Sequence, residues 1–324
     1  METFNQKIEL YSVRRFSDML GDTFSFVRQN FKPLFKGLFY IASPALLVAM
    51  IAGFFFWQSY MLIVTAVANA ATPDVTNQLA SAGGGIFGAL PMTLAIFIAS
   101  TLILGVTFSY IRLYREDKER EITVSMLWQE TKKYFWKLIG AQVLLGVLVF
   151  ILIIILAVFF AVTGVLINSN VVMTVLTGSL GGIAILCFCV WLAVKFSFLM
   201  LFIVTENKSV FGSFSDSYKF TKGIFWKTFG FIVVISLLVG FASYICIIPG
   251  YILMIGGTLS GSMNFGNSAN LMMASSALIS VGISISYLFY AVVFIGQSIF
   301  YHSIIEEREG ISSNLEIEEI GKRD

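Results

Sequence analysis

One lysine, one histidine and three glutamates are the side chains whose type and placement bear on chemistry. Lys195 stands alone in an apolar stretch: residues 138–194 carry no Asp, Glu, Lys or Arg, and Glu206 lies 11 residues beyond it. In a helix that separation is about 16 Å, which places the ammonium near the middle of a hydrocarbon layer about 30 Å thick. A buried ammonium there costs at least about 2.5–3.5 kcal/mol on insertion scales, so it must face protein or water. Two readings follow: an anchor for an anionic group such as a lipid phosphate, or a structural lysine bonded to carbonyls and hydroxyls of neighbouring spans. Glu116, Glu206 and Glu306 each close an apolar run. They form either a ring of carboxylates at the cytoplasmic mouth or pairs with Lys and Arg on the adjoining helices.

Several chemistries are excluded. His302 is the only histidine, so sites needing several imidazole ligands, including the His-Glu-x-x-His metalloproteases, are ruled out. Its expected role is interfacial packing. Ser260 is expected on the opposite side of the membrane, too far from His302 for a nucleophile–base pair. No carboxylate lies within a span, which weighs against proton- or sodium-coupled transport and removes an intramembrane aspartyl protease. Gly83-Gly84-Gly85 lacks a following Lys-Ser/Thr and reads as a turn. Cys187 and Cys189 are two apart, about 200° around a helix, and cannot chelate together. No metal or cofactor is implied, and the expectation is a protein that is not an enzyme.

The elements that position these residues follow from the charge distribution. Only 12% of the 324 residues are charged, against about 25% in a soluble domain. Residues 37–73, 75–111, 138–194 and 228–305 carry no charge. Such chain cannot be kept out of water in a soluble fold, and six spans are predicted near 38–64, 87–111, 138–166, 180–204, 229–254 and 278–303. The breaks fall at 71–74, 168–170 and the Gly/Ser/Asn-rich 256–270. Twenty of the 21 Lys and Arg lie in the N-terminal segment, the 112–137 and 208–227 connections and the C-terminal tail; the other three loops have none. Both termini are therefore expected in the cytoplasm, by the excess of positive charge on that side. A net charge of +2 gives no reason to invoke nucleic acid.

The cytoplasmic segments repeat. Phe16, Met19, Leu20, Thr23, Phe24, Val27 and Phe31 recur at helical spacing; so do Val124, Leu127, Trp128, Thr131 and Phe135, and Phe214, Tyr218, Thr221 and Phe225. Each predicts a short amphipathic helix in the interface. Seven residues before Phe31, Phe135 and Phe225 stand Phe24, Trp128 and Tyr218 as interfacial anchors, and Trp136 and Trp226 open the second and third junctions. With the glutamates closing each unit, the chain reads as an all-α integral membrane protein of six transmembrane helices. They form three parallel repeats, each an interfacial helix plus a transmembrane hairpin. One membrane domain covers 1–324, with repeats at about 11–118, 119–207 and 208–308 and an acidic cytoplasmic tail at 309–324.

The stretch Val194-Lys195-Phe196-Ser197-Phe198, Glu206, Ser213-Phe214, Ser217, Phe220-Thr221, Gly223 and Phe225-Trp226-Lys227 resembles the bacterial membrane domain associated with glycerophosphoryl diester phosphodiesterases and related inner-membrane proteins. The match is strongest over about 195–230. Lys195, Glu206, Ser217, Gly223 and Trp226 fill the pattern's basic, acidic, serine, glycine and tryptophan places. The resemblance implies a fold and a bacterial inner-membrane location, and no activity, because the phosphodiesterase reaction of fused members belongs to a soluble barrel for which this chain has no room. The expected function is that of a non-enzymatic accessory or scaffold protein contacting membrane lipids and other membrane proteins. The alternative is a lipid- or amphiphile-handling carrier or channel with Lys195 as its anion contact.

Overall fold

The computed structural model describes residues 7–68, 84–118, 120–166, 171–261 and 268–310, and among them all regular structure is helical. In chain order the helices are α1 (Phe16–Gln29), α2 (Phe31–Ala68), α3 (Gly84–Glu116), α4 (Val124–Leu166), α5 (Val171–Lys195), α6 (Leu199–Thr205), α7 (Val210–Phe220), α8 (Phe225–Gly261) and α9 (Ser268–Glu309). Among the described residues, six stretches are long and apolar enough to cross a membrane: Phe31–Met61, Gly88–Glu116, Val124–Val162, Gly178–Thr205, Phe225–Gly256 and Asn270–Glu309. The breaks expected at 71–74 and 168–170, and the tail beyond 310, lie outside the described residues.

The chain forms two compact units. The first comprises residues 1–131 and 233–324, and its core is the packing of α2, α3 and α9 on one another. Apolar attraction between helices is weak in lipid, so small residues that let backbones approach carry the packing. A Cβ on Gly88 of α3 would sit 3.0 Å from the Phe56 nitrogen and 3.2 Å from the Ala52 carbonyl of α2. One on Gly282 of α9 would strike the Cys246 carbonyl of α8. The second unit, residues 132–232, contains most of α4, all of α5, α6 and α7, and the start of α8. Gly181 and Gly178 of α5 accept the rings of Phe159 and Phe160 of α4.

Three sequence expectations are corrected. The fourth span is not one helix, since residues 196–198 form a turn between α5 and α6. The second amphipathic segment does not end before its span: α4 runs unbroken from Val124 to Leu166. The cause is local. α1 stops at Asn30, whose N–H bonds the Phe26 carbonyl, and α7 is separated from α8 by Gly223 at φ +86, whereas no Gly, Asn or Pro stands between Val124 and Leu138. The Gly/Ser/Asn-rich 256–270 is helical to Gly261 and again from Ser268. α1 buries Met19, Thr23 and Phe26, and Phe16 and Phe24 on it are exposed, as is Phe31 at the start of α2.

Candidate functional site

The turn that interrupts the fourth span creates the first site. Ending α5 at Lys195 leaves its last carbonyls without helical donors, and local groups supply most of the replacements. The Leu192 carbonyl accepts from the Phe196 N–H at 3.0 Å, and the Val194 carbonyl accepts from the Ser197 hydroxyl at 2.9 Å. The Lys195 carbonyl has a distant donor, the Ser217 hydroxyl of α7 at 2.7 Å. The next residue of α7, Tyr218, lays its ring over the Lys195 ammonium at 4.7 Å from the centroid. Trp191 meets the same ring edge-on at 6.3 Å.

α7 is built for this contact. Ser209 caps its N-terminus by accepting from the Gly212 N–H at 3.2 Å, and Lys208 pairs with Asp216 at 2.5 Å. Ser213, Ser217 and Phe220 form its buried face. Phe214 and Phe220 pack edge-on against Phe196 and Phe198, with centroids 5.0 and 4.9 Å apart. Lys195 is 7% exposed, and among the described residues its ammonium makes no hydrogen bond or ion pair. The arrangement can shield a cation in apolar surroundings and fix an amphipathic helix to a broken span. Ser217 and Tyr218 do this work, and sequence reasoning gave Tyr218 only the role of interfacial anchor. The spacing alone holds no signal for the contact, which depends on the turn at 196–198.

A second cluster lies in the first unit, where residues 7–15 lie against the ends of α3 and α9. Tyr114 donates to the Ile8 carbonyl at 3.1 Å. Arg14 is buried; its guanidinium pairs with Asp22 at 2.5 Å and donates to the carbonyls of Leu10 at 2.9 Å, Ser12 at 3.1 Å and Glu9. Its backbone N–H reaches the Ser303 hydroxyl at 3.0 Å. His302 is fully buried, with its Nδ1 on the Ser298 carbonyl at 2.7 Å and the rings of Tyr11 and Tyr301 edge-on at 4.9 and 5.2 Å. Arg14 drew attention in the sequence only as one positive charge among several. The donor set is that of a structural clamp: a guanidinium satisfying carbonyls of a segment that has no helix to satisfy them.

The glutamates occupy different settings. Glu116 ends α3 and bonds Arg112 of its own helix at 3.4 Å, so its observed partner is not on an amphipathic helix. Glu206 follows α6 as its C-cap, and Glu306 is buried near the end of α9. The anchors Phe24, Trp128 and Tyr218 are exposed to 44%, 46% and 45%, and Trp136 and Trp226 to 77% each.

These features define a class: an all-helical protein with six helices fit to span a membrane, its buried ions used in packing contacts. A family model described as "Domain of unknown function (DUF7847)" matches residues 36–304, and the chain belongs to that family. No curated protein and no solved structure matches the chain.

Proposed function

We propose that the protein is a non-enzymatic accessory or scaffold protein of the bacterial inner membrane, with both termini cytoplasmic and its six spans arranged as three parallel units. The observation that carries the reading is the α4–α5 hairpin. The most apolar stretch of Val124–Val162 has none of its residues buried, and the consecutive exposed residues Val147, Leu148, Val149 and Phe150 point to all sides of the helix. A span that contributes so little to its own chain's core is available to a membrane partner. A photo-crosslinking residue at Val147, Ile151 or Ile154 in native membranes should give protein adducts of discrete mass. Adducts with lipid alone at all three positions overturn the reading.

The alternative, a lipid- or amphiphile-handling protein, is favoured by one observation: among the described residues the buried Lys195 ammonium has no acid against it. Lys195→Met separates the two. Loss of co-purifying acidic lipid from a folded variant supports the anion contact. An unchanged lipid complement supports the scaffold, in which Lys195 serves α7 docking.

A further inference from the structure

α2 and α3 enclose a cleft of about 520 Å³. Its α2 wall is Val48, Ile51, Phe55 and Gln58, spaced so that they share one helix face; Gly88 and Pro91 of α3 close the other side. Val48, Ile51 and Phe55 turn more than half of their surface outward, so the cleft opens sideways from the helix pair. It exists beside the close crossing at Gly88, where a side chain would meet the α2 backbone.

Position along the helix identifies what fits. Gln58 lies 22 residues beyond Lys36, the last charge before the span, or about 33 Å at 1.5 Å per residue, at the far edge of a hydrocarbon layer of about 30 Å. Val48 lies 10 residues back, about 15 Å, near the bilayer middle. The cleft therefore runs the depth of one leaflet, apolar along its length and with an amide at the headgroup end. Among the described residues the Gln58 amide makes no hydrogen bond, and an amide at the edge of hydrocarbon is costly without a partner.

We propose that this cleft is a binding site for a single hydrocarbon chain of a membrane lipid in the leaflet at the C-terminal end of α2. The oxygen linking that chain to glycerol accepts a hydrogen bond from the Gln58 amide. The site goes beyond the scaffold reading and is independent of it, since protein adducts on α4 neither require nor exclude it.

The test uses the full chain in nanodiscs of phosphatidylcholine and phosphatidylglycerol. These carry a trace of phosphatidylcholine with a diazirine either close to the ester or at the chain terminus. The shallow probe should label Gln58 and Ser59 and the deep probe Val48 and Ile51. Both should exceed by several-fold the labelling of Leu47, an exposed α2 residue outside the cleft lining. Val48→Trp should abolish the excess and Leu47→Trp should leave it. Gln58→Leu should lower the shallow labelling about tenfold, the factor for one hydrogen bond of ~1.4 kcal/mol. Labelling equal to that of Leu47, or without depth order, shows ordinary boundary lipid and overturns the site. Labelling unchanged in Gln58→Leu overturns the hydrogen-bonded orientation on which the proposal stands.

Discussion

Lys195 is held twice by consecutive residues of α7, and the two contacts differ in energy. The Tyr218 ring over the ammonium contributes about 0.5–2 kcal/mol, but removing the lysine also removes the cost of burying a charge. The Ser217 hydroxyl satisfies a carbonyl freed by the turn, and leaving that carbonyl unpaired costs about 1–3 kcal/mol. Ser217→Ala should therefore lower the thermal unfolding midpoint in detergent more than Lys195→Met does; the reverse order would show that the ammonium, not the carbonyl, secures α7. Arg14 is a similar case. Lysine offers three donors on a point charge instead of a planar fork, so Arg14→Lys should raise amide hydrogen exchange across residues 7–15 and leave α5 unchanged. Equal exchange there would mean the guanidinium's carbonyl contacts are dispensable. The oddity of a lone lysine in apolar chain was legible from sequence because charge is a property of the residue itself. The partners of Lys195 and Arg14 were not, because Ser217, Tyr218 and Ser303 reach them only after the chain has turned back.

At the scale of elements, apolar runs and breakers decide different things. Five of the six apolar runs lie each within one helix and the fourth is divided between α5 and α6, because about 20 apolar residues without water have to satisfy their backbone internally. Where one helix ends and the next begins is settled by single residues. Gly223 at φ +86 lets α7 stop and α8 start, and nothing lies within 4 Å of the place a Cβ would take. The cost of a side chain there is therefore conformational alone. Gly223→Ala should destabilise by about 1–2 kcal/mol and Gly223→Asn by less. Gly230→Ala, also in open space but within a helix, should be neutral or stabilising by up to ~1 kcal/mol. Detergent unfolding curves of the three variants check the ranking, and a neutral Gly223→Ala would show that the junction relaxes. The turn at 196–198 was invisible to hydropathy because Phe196-Ser197-Phe198 contains neither Gly nor Pro. What ends α5 there is the Ser197 hydroxyl on the Val194 carbonyl together with α7 packed on the turn. The unbroken α4 teaches the converse: matching aromatic offsets place Trp128 on a helix but do not supply the residue that would end it.

For the whole molecule, the distribution of Lys and Arg carries the orientation argument. Moving the N-terminal segment, the 112–137 and 208–227 connections and the tail across the membrane would translocate 20 of the 21 basic side chains, whereas the opposite arrangement moves none of them. The positive-inside bias counts such residues in short loops near span ends, and here every basic connection is short and adjoins a span. The far loops offer no competing charge, since Asp74 is their only ionisable side chain and acidic residues contribute little to the bias. Six spans also bring both termini to the same side, which is compatible with the arrangement that the charges favour. Reporter fusions after Lys118, Lys208 and Arg323 should therefore report the cytoplasm, and fusions after Asp74, Asn170 and Gly266 the other face. The fusions after Asn170 and Lys208 are the most discriminating, because they flank the interrupted helix α5–α6. Gly178–Thr205 is long enough to cross a membrane, but a helix broken beside a buried lysine is the one most able to re-enter on the same side. Signals on one face from both positions would remove the fourth span and invert everything after it. Signals on opposite faces would establish that the broken helix crosses, with Lys195 and its α7 clamp as part of a true span.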